Sequence, residues 1–191
     1  MSMTRRQTLI AALAACQAAP ARAASADLPA RLHAGGVVAV LRHALAPGSF
    51  DPPGFVLGDC TTQRNLSEDG RAQARAIGAW FATRDLVPAR VRSSPWCRCI
   101  DTATLAFGSA QPWAALGSPA GTSAAVRSAQ LQELHRALAA STARRGRFEV
   151  WVTHMFVIAD LTGQNTRPGD GVLLAAASDG RIRVVAPLEL L

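Results

Sequence analysis

The chain has 191 residues, 49% hydrophobic and 17% charged, which excludes a disordered or low-complexity protein and suits a single globular domain. Its formal charge of +7 comes entirely from arginine, with no lysine, and tyrosine is absent. No basic cluster is interleaved with aromatics, so the usual footprint of a nucleic-acid binder is missing.

Residues 1–23 read as an export signal: Arg5-Arg6, a short apolar run from Thr8 to Ala15, then Ala21-Arg22-Ala23 as a small-x-small cleavage site. The run is too short to span a bilayer. Thr4-Arg5-Arg6-Gln7-Thr8-Leu9 is also similar to a twin-arginine signal, and Leu13-Ala14-Ala15-Cys16 to a lipobox, so a lipid anchor at Cys16 is the one membrane attachment expected. Cleavage leaves residues 24–191 as the domain, with 17 arginines against 13 acids, or +4. The expected location is the periplasm, or otherwise outside the cytoplasm.

Residues 37–43 predict the first strand, an apolar run ending in Arg42-His43. Residues 44–64 are rich in Pro, Gly and Asp and form a loop of a length that is usually functional. Ser67 is the expected N-cap of a helix whose first turn carries Glu68 and Asp69, and whose apolar face is Ala74, Ile77, Trp80 and Phe81. A short strand over 89–93 is followed by a helix over 96–107 that Gly108 closes. Residues 111–124 look like loop, and 125–143 like a helix with Leu131, Leu134 and Leu138 at helical spacing. A strand over 148–154, a short helix to Gly163, and a hairpin of 171–177 with 181–185 complete the chain. Strands alternating with helices imply an α/β fold: a three-layer α/β/α sandwich with a mostly parallel central sheet.

Cys60, Cys97 and Cys99 remain after cleavage. Export makes one disulfide the expectation; Cys97 and Cys99 diverge at a helix start, so Cys60 pairs with one of them and the other stays free. Three cysteines and scattered histidines show no zinc-ligand spacing, so no metal and no cofactor are expected.

In such sheets ligands sit beyond the carboxyl ends of the strands. There the first strand ends in Arg42-His43, the second leads through Ser93-Ser94-Pro95 to Arg98, and another ends in His154. Guanidinium forks match phosphate geometry. A neutral imidazole beside a bound phosphoryl group can attack phosphorus. Arg42, Arg98 and a protonated His154 would then take up charge on the equatorial oxygens. His33 and His135 fall off this edge and are expected at the surface. No GxSxG elbow or Walker loop offers a competing chemistry.

Together these residues resemble the histidine phosphatase superfamily, which includes the cofactor-dependent phosphoglycerate mutases. Leu41-Arg42-His43-Ala44 matches its Arg-His-Gly motif, and Gln63-Arg64-Asn65-Leu66-Ser67 with Gly70 its helix start. Ser93-Ser94-Pro95, Arg98 and Thr102-Ala103 match its longest signature, and Val152-Thr153-His154 its second histidine. The resemblance runs in order over residues 36–171. It implies a phosphoglycerate mutase-like sandwich and hydrolysis of a phosphomonoester through a phosphohistidine on His43, without metal. Arg42, Arg98 and His154 would hold the phosphate, and Arg64 and Asn65 the substrate. Wording around Cys60 and Trp96 resembles a lipopolysaccharide heptose phosphatase, so a phosphorylated envelope sugar is the substrate expectation. The alternatives are a non-catalytic phosphate- or anion-binding module and a phosphohistidine-protein phosphatase. Two departures stand out: Ala44 replaces the motif glycine, and 111–132 lacks the acid that many members carry. Asp170 is the expected substitute acid, with Asp101 behind it; the alternative the resemblance offers is an enzyme without a dedicated acid, like the small phosphohistidine-phosphatase branch.

Overall fold

The computed structural model describes residues 27–191; the export signal over 1–23 and the anchor site Cys16 lie outside them. Six strands form one sheet in the order β3-β2-β4-β1-β5-β6. They are β1 (Val37–Arg42), β2 (Arg90–Ser93), β3 (Gln111–Pro112), β4 (Phe148–Thr153), β5 (Gly171–Ala176) and β6 (Ile182–Leu188). Strands β1 to β4 run parallel, and β5 and β6 close the sheet antiparallel. Five helices cover it: α1 (Leu28–Ala34), α2 (Glu68–Ala82), α3 (Cys97–Phe107), α4 (Ala124–Thr142) and α5 (Met155–Thr162).

Alternation along the central strands feeds two cores. Ala39, Leu41, Val150 and Val152 pack with α1, α2 and α3. Their neighbours Val38, Val40, Trp151 and Leu174 pack with α4 and α5 on the opposite face. With both faces covered, central strands are continuously apolar, and the three-layer expectation holds. Ser67 Oγ accepts the Gly70 amide as the N-cap of α2, and Gly108 closes α3 in the left-handed conformation.

Differences from the sequence reading fall where periodic signals are short. Helix α1, with Pro29 in its first turn and Leu28 and Leu32 buried, forms where no element was predicted. The two-residue strand β3 and a 3₁₀ turn at Ala114–Leu116 lie in the stretch read as loop.

The register of β1 on β4 is what builds the functional edge. Arg42 lies beside Thr153, so the next residue on each strand, His43 and His154, emerge together. Strand β2 pairs Ser93 with Val152, which brings Ser94 and the start of α3 to the same edge. Cys60 bonds Cys97 in the first turn of α3, and Cys99 is free and buried.

Helix α2 presses on the segment just after His43. The Leu45 carbonyl accepts the Ser67 amide at 3.1 Å, and a Cβ on Gly70 would stand 2.0 Å from that oxygen. Backbone on backbone leaves no room to yield, so Gly70→Ala is expected to cost ~1–3 kcal/mol, the usual scale of overpacking. Urea unfolding measures it; a wild-type midpoint would show that α2 does not seat so tightly.

Candidate active site

A cavity of about 640 Å³ opens at the carboxyl edge. Its deepest side chains are His43 at 3% exposure, His154 at 3% and Arg98 at 4%. Arg42 and Arg64 also line it.

Backbone contacts fix the position of His43. The His43 amide donates to Thr153 at 2.9 Å, and its carbonyl accepts the Gly169 amide at 3.2 Å. The Ala44 amide donates to Thr102 Oγ1 at 3.0 Å, and that hydroxyl donates to the Arg98 carbonyl at 2.7 Å. Thr102 thus ties α3 to the residue after the histidine, a role its motif position did not announce. Asp85 is the sole non-glycine with positive φ among the described residues, so Ala44 sits unstrained where the motif has glycine.

His43 Nδ1 lies 2.7 Å from the Ala44 carbonyl. An oxygen there accepts only, so Nδ1 carries the proton and Nε2 keeps its lone pair. Burial, opposed by the Ala44 bond and reinforced by Arg98, Arg64 and Arg42, lowers the His43 pKa to about 3. His154, whose ring centroid is 5.6 Å away, is N-cap of α5, with Nε2 2.8 Å from Ser94 Oγ. Burial first, then Arg98 and His43, lower its pKa well below the ordinary value. Without an anion in the cavity these neighbours favour the neutral ring of His154. Two negative charges nearby would favour its protonation.

The guanidiniums hold donors in reserve. Arg42 Nη1 donates to the Thr166 carbonyl at 2.7 Å, and Arg64 Nη1 to the Ala46 carbonyl. Each of Arg42, Arg64 and Arg98 nevertheless keeps a buried Nε–H without a partner. Buried donors left unpaired are costly, and three guanidinium groups lining one cavity give it a positive surplus that favours an anionic guest.

A carboxylate that sequence reasoning missed balances them. Asp51, from the loop after β1, accepts Arg98 Nη1 at 2.8 Å and Nη2 at 3.2 Å. It also accepts Trp96 Nε1 at 3.1 Å and the Arg64 amide at 3.0 Å. Burial alone would raise its pKa, but these bonds, Arg98 foremost, hold it below the ordinary carboxylate value. The loop marked the region; an aperiodic segment gave no sign of which acid turns inward.

The other candidates are placed differently. Asp170 pairs with exposed Arg167 at 2.8 Å, and its carbonyl, not its carboxylate, meets the Arg42 amide at 2.8 Å. Asp101 pairs with Arg71 on α2. Asn65 Nδ2 donates to the Cys60 carbonyl at 2.6 Å, holding the disulfide-bonded turn. None of these three side chains lines the cavity. His33 and His135 are exposed. No group of three or more His, Cys, Asp or Glu able to hold a metal occurs among the described residues.

Residues 57–117 match the family profile of the histidine phosphatase superfamily (branch 1), a span holding Arg64 and Arg98 but neither histidine of the cavity. No curated protein sequence matches the chain. Among solved structures, a mycobacterial glucosyl-3-phosphoglycerate phosphatase is 19% identical, with TM-score 0.57, covering 80% of this chain and 98% of that one. A phosphoglycerate mutase from Bacillus anthracis is 14% identical, with TM-score 0.58 over 82% and 95%. The protein histidine phosphatase SixA, complexed with tungstate, is 18% identical, with TM-score 0.53 over 80% and 96%. The fold is thus the phosphoglycerate mutase-like one.

The depressed His43 sets an acid limit to stability. Between pH 6.5 and about 3 the unfolded imidazole binds a proton that the native one does not. Stability from this group is complete above pH 6.5 and is lost as pH falls through that window, by up to ~1.4 kcal/mol per pH unit. The His43→Asn variant, which cannot titrate there, is expected to show a shallower decline of melting temperature between pH 6.5 and 4. Parallel curves for the two proteins would contradict the buried neutral ring.

Proposed function

With the histidine phosphatase fold and family signature as premise, we propose that this chain is a phosphomonoester hydrolase working through a phosphohistidine on His43. The observation that carries the reading is the His43 ring: Nδ1–H donates to Ala44, which leaves the lone pair on Nε2, and the residue lines a cavity together with Arg42, Arg64, Arg98 and His154. A phosphate dianion seated against Arg42, Arg64, Arg98 and His154 places phosphorus next to Nε2. Attack forms the Nε2–P bond and breaks the P–O ester bond; the alkoxide leaves with the electron pair and takes a proton from solvent to become the alcohol. The ring then bears positive charge, which the Ala44 carbonyl stabilises through Nδ1–H. Water next attacks phosphorus, the P–N pair returns to Nε2, and inorganic phosphate departs. Fixed arginines supply the charge stabilisation that a metal gives elsewhere. A similar fold that holds tungstate, a tetrahedral oxyanion, supports the same seat here.

Export belongs to this proposal. The signal-like segment over 1–23 supports it, and so does the disulfide Cys60–Cys97, which suits an oxidising compartment.

The full chain is expected to hydrolyse p-nitrophenyl phosphate in EDTA, and His43→Ala to fall to background while still binding inorganic phosphate. Acid-labile, base-stable labelling of wild-type protein by radioactive phosphate ester would mark the phosphoramidate. Anion binding by wild type with no turnover would instead make the cavity a phosphate-binding module. Expression in an exporting host, followed by mass spectrometry, is expected to give a mature chain starting near Ala24; an acylated Cys16 start would replace cleavage with anchoring, and an intact Met1 would remove export.

A further inference from the structure

The mouth of the cavity differs in chemistry from its floor. Phe50, Phe55, Trp96, Met155 and Phe156 line it above the cationic groups. Phe50 is 72% exposed and Phe156 39%, so both rings stand open to an incoming ligand where they line the cavity. Aromatic rings run outward from the nucleophile in sequence. The centroid of His43 is 5.6 Å from that of His154, His154 is 5.3 Å from Trp96, and Trp96 is 6.0 Å from Phe55. Trp96 is held in this line by its Nε1 bond to Asp51.

Little at the mouth could recognise a polyhydroxylated group. Apart from the arginines and histidines, the polar side chains lining the cavity are Ser49, Ser118 and Asp51. Ser118 Oγ accepts the Ala120 amide at 3.3 Å and keeps only its own O–H and one lone pair for a ligand, and Asp51 is saturated by four donors. Asp51 is also the cavity's sole carboxylate among the described residues. Locked to Arg98 as an anion, it has no proton to give a departing oxygen. No carboxylate of the cavity can therefore protonate a departing oxygen, and His154 Nε2 already meets Ser94 Oγ at 2.8 Å, so a leaving group stable as its own anion is favoured.

We propose that the cavity selects aryl phosphates, monoesters of phenolic alcohols, over phosphorylated sugars; this rests on the reading of the cavity as a phosphatase site. A phenol ring fits the aromatic wall in edge or offset contact. Its oxygen departs as a phenolate, the conjugate base of an acid of pKa roughly 10, as in tyrosine, against about 15.7 for water, which aliphatic alcohols approach. In the step itself the His43 Nε2–P bond forms, the P–O(aryl) bond breaks, and the phenolate takes a proton from solvent after leaving.

Three esters separate the two requirements. Phenyl phosphate carries both the ring and the good leaving group, hexyl phosphate is apolar with a poor leaving group, and glucose 6-phosphate has neither advantage. The full chain is expected to turn over phenyl phosphate with kcat/KM at least ~10²-fold above glucose 6-phosphate, the lower bound of what an absent general acid costs. Hexyl phosphate should bind with a similar KM and lose in kcat. Phe50→Ala and Phe156→Ala, both exposed positions, should raise KM for phenyl phosphate severalfold and leave inhibition by inorganic phosphate unchanged. Equal or better turnover of glucose 6-phosphate, hexyl kcat matching phenyl, or an unmoved KM in both variants would each overturn the aryl assignment. Failure of every ester, p-nitrophenyl phosphate included, would overturn the phosphatase reading itself.

Discussion

Three guanidinium groups and two imidazoles share one partly closed space, and the molecule is arranged around making that tolerable. Like charges in a medium of reduced dielectric repel strongly, and burial and neighbouring guanidiniums lower the pKa values of Arg42 and Arg64. Two devices meet the cost. Both histidines stay neutral, and Asp51 cancels one of the three cations through a bidentate pair with Arg98. What remains is a surplus of positive charge around the cavity, which favours an anionic guest.

Sheet register does the positioning. No residue of the site is held by its own loop alone. His43 and His154 are neighbours because β1 and β4 are parallel and in register, and Arg98 arrives because β2 runs beside β4 before α3 begins. Side chains then lock the strand ends together. Thr102 bridges the Ala44 amide and the Arg98 carbonyl. Gln73 bridges the Leu45 amide at 2.9 Å and the Pro168 carbonyl at 2.8 Å, joining the segments on either side of Arg42. The disulfide from Cys97 to Cys60 ties the start of α3 to the loop that delivers Arg64 and Asp51.

Much of this was readable beforehand, for physical reasons. Apolar runs that stop at a charged residue mark buried strands reaching a functional edge, so Arg42-His43 and His154 stood out without coordinates. Ser67 and Gly108 announced helix ends because capping needs particular residue types. Spacing left open whether Cys97 or Cys99 meets Cys60. The fold decides it: Cys97 bonds Cys60, whereas Cys99 is buried against His154, 3.7 Å from Nε2, with its pKa raised by burial to about 12. Asp51 was illegible because its contacts depend on how a loop with Pro52, Pro53 and Gly54 folds back over α3. Asp170 was conspicuous for its place beside β5, and there its backbone, rather than its carboxylate, meets Arg42.

Asp51 also shows why the position of a carboxylate, rather than its presence, decides what an active site can do. A general acid needs a pKa near the working pH and therefore an environment that resists ionisation. Asp51 has the reverse: four donors converge on it and favour the anion. The arrangement that makes it a counterion to Arg98 thus deprives it of the proton. Loosening Asp51 to recover a proton would release Arg98 and Trp96 together, because both are oriented by the same two oxygens. Pairing with Arg98 and proton donation compete for one residue here, and the bond geometry favours the pair. On the phosphatase proposal, the burden of a stable leaving anion then falls on the substrate, at the end of the cavity where the protein presents rings instead of charges.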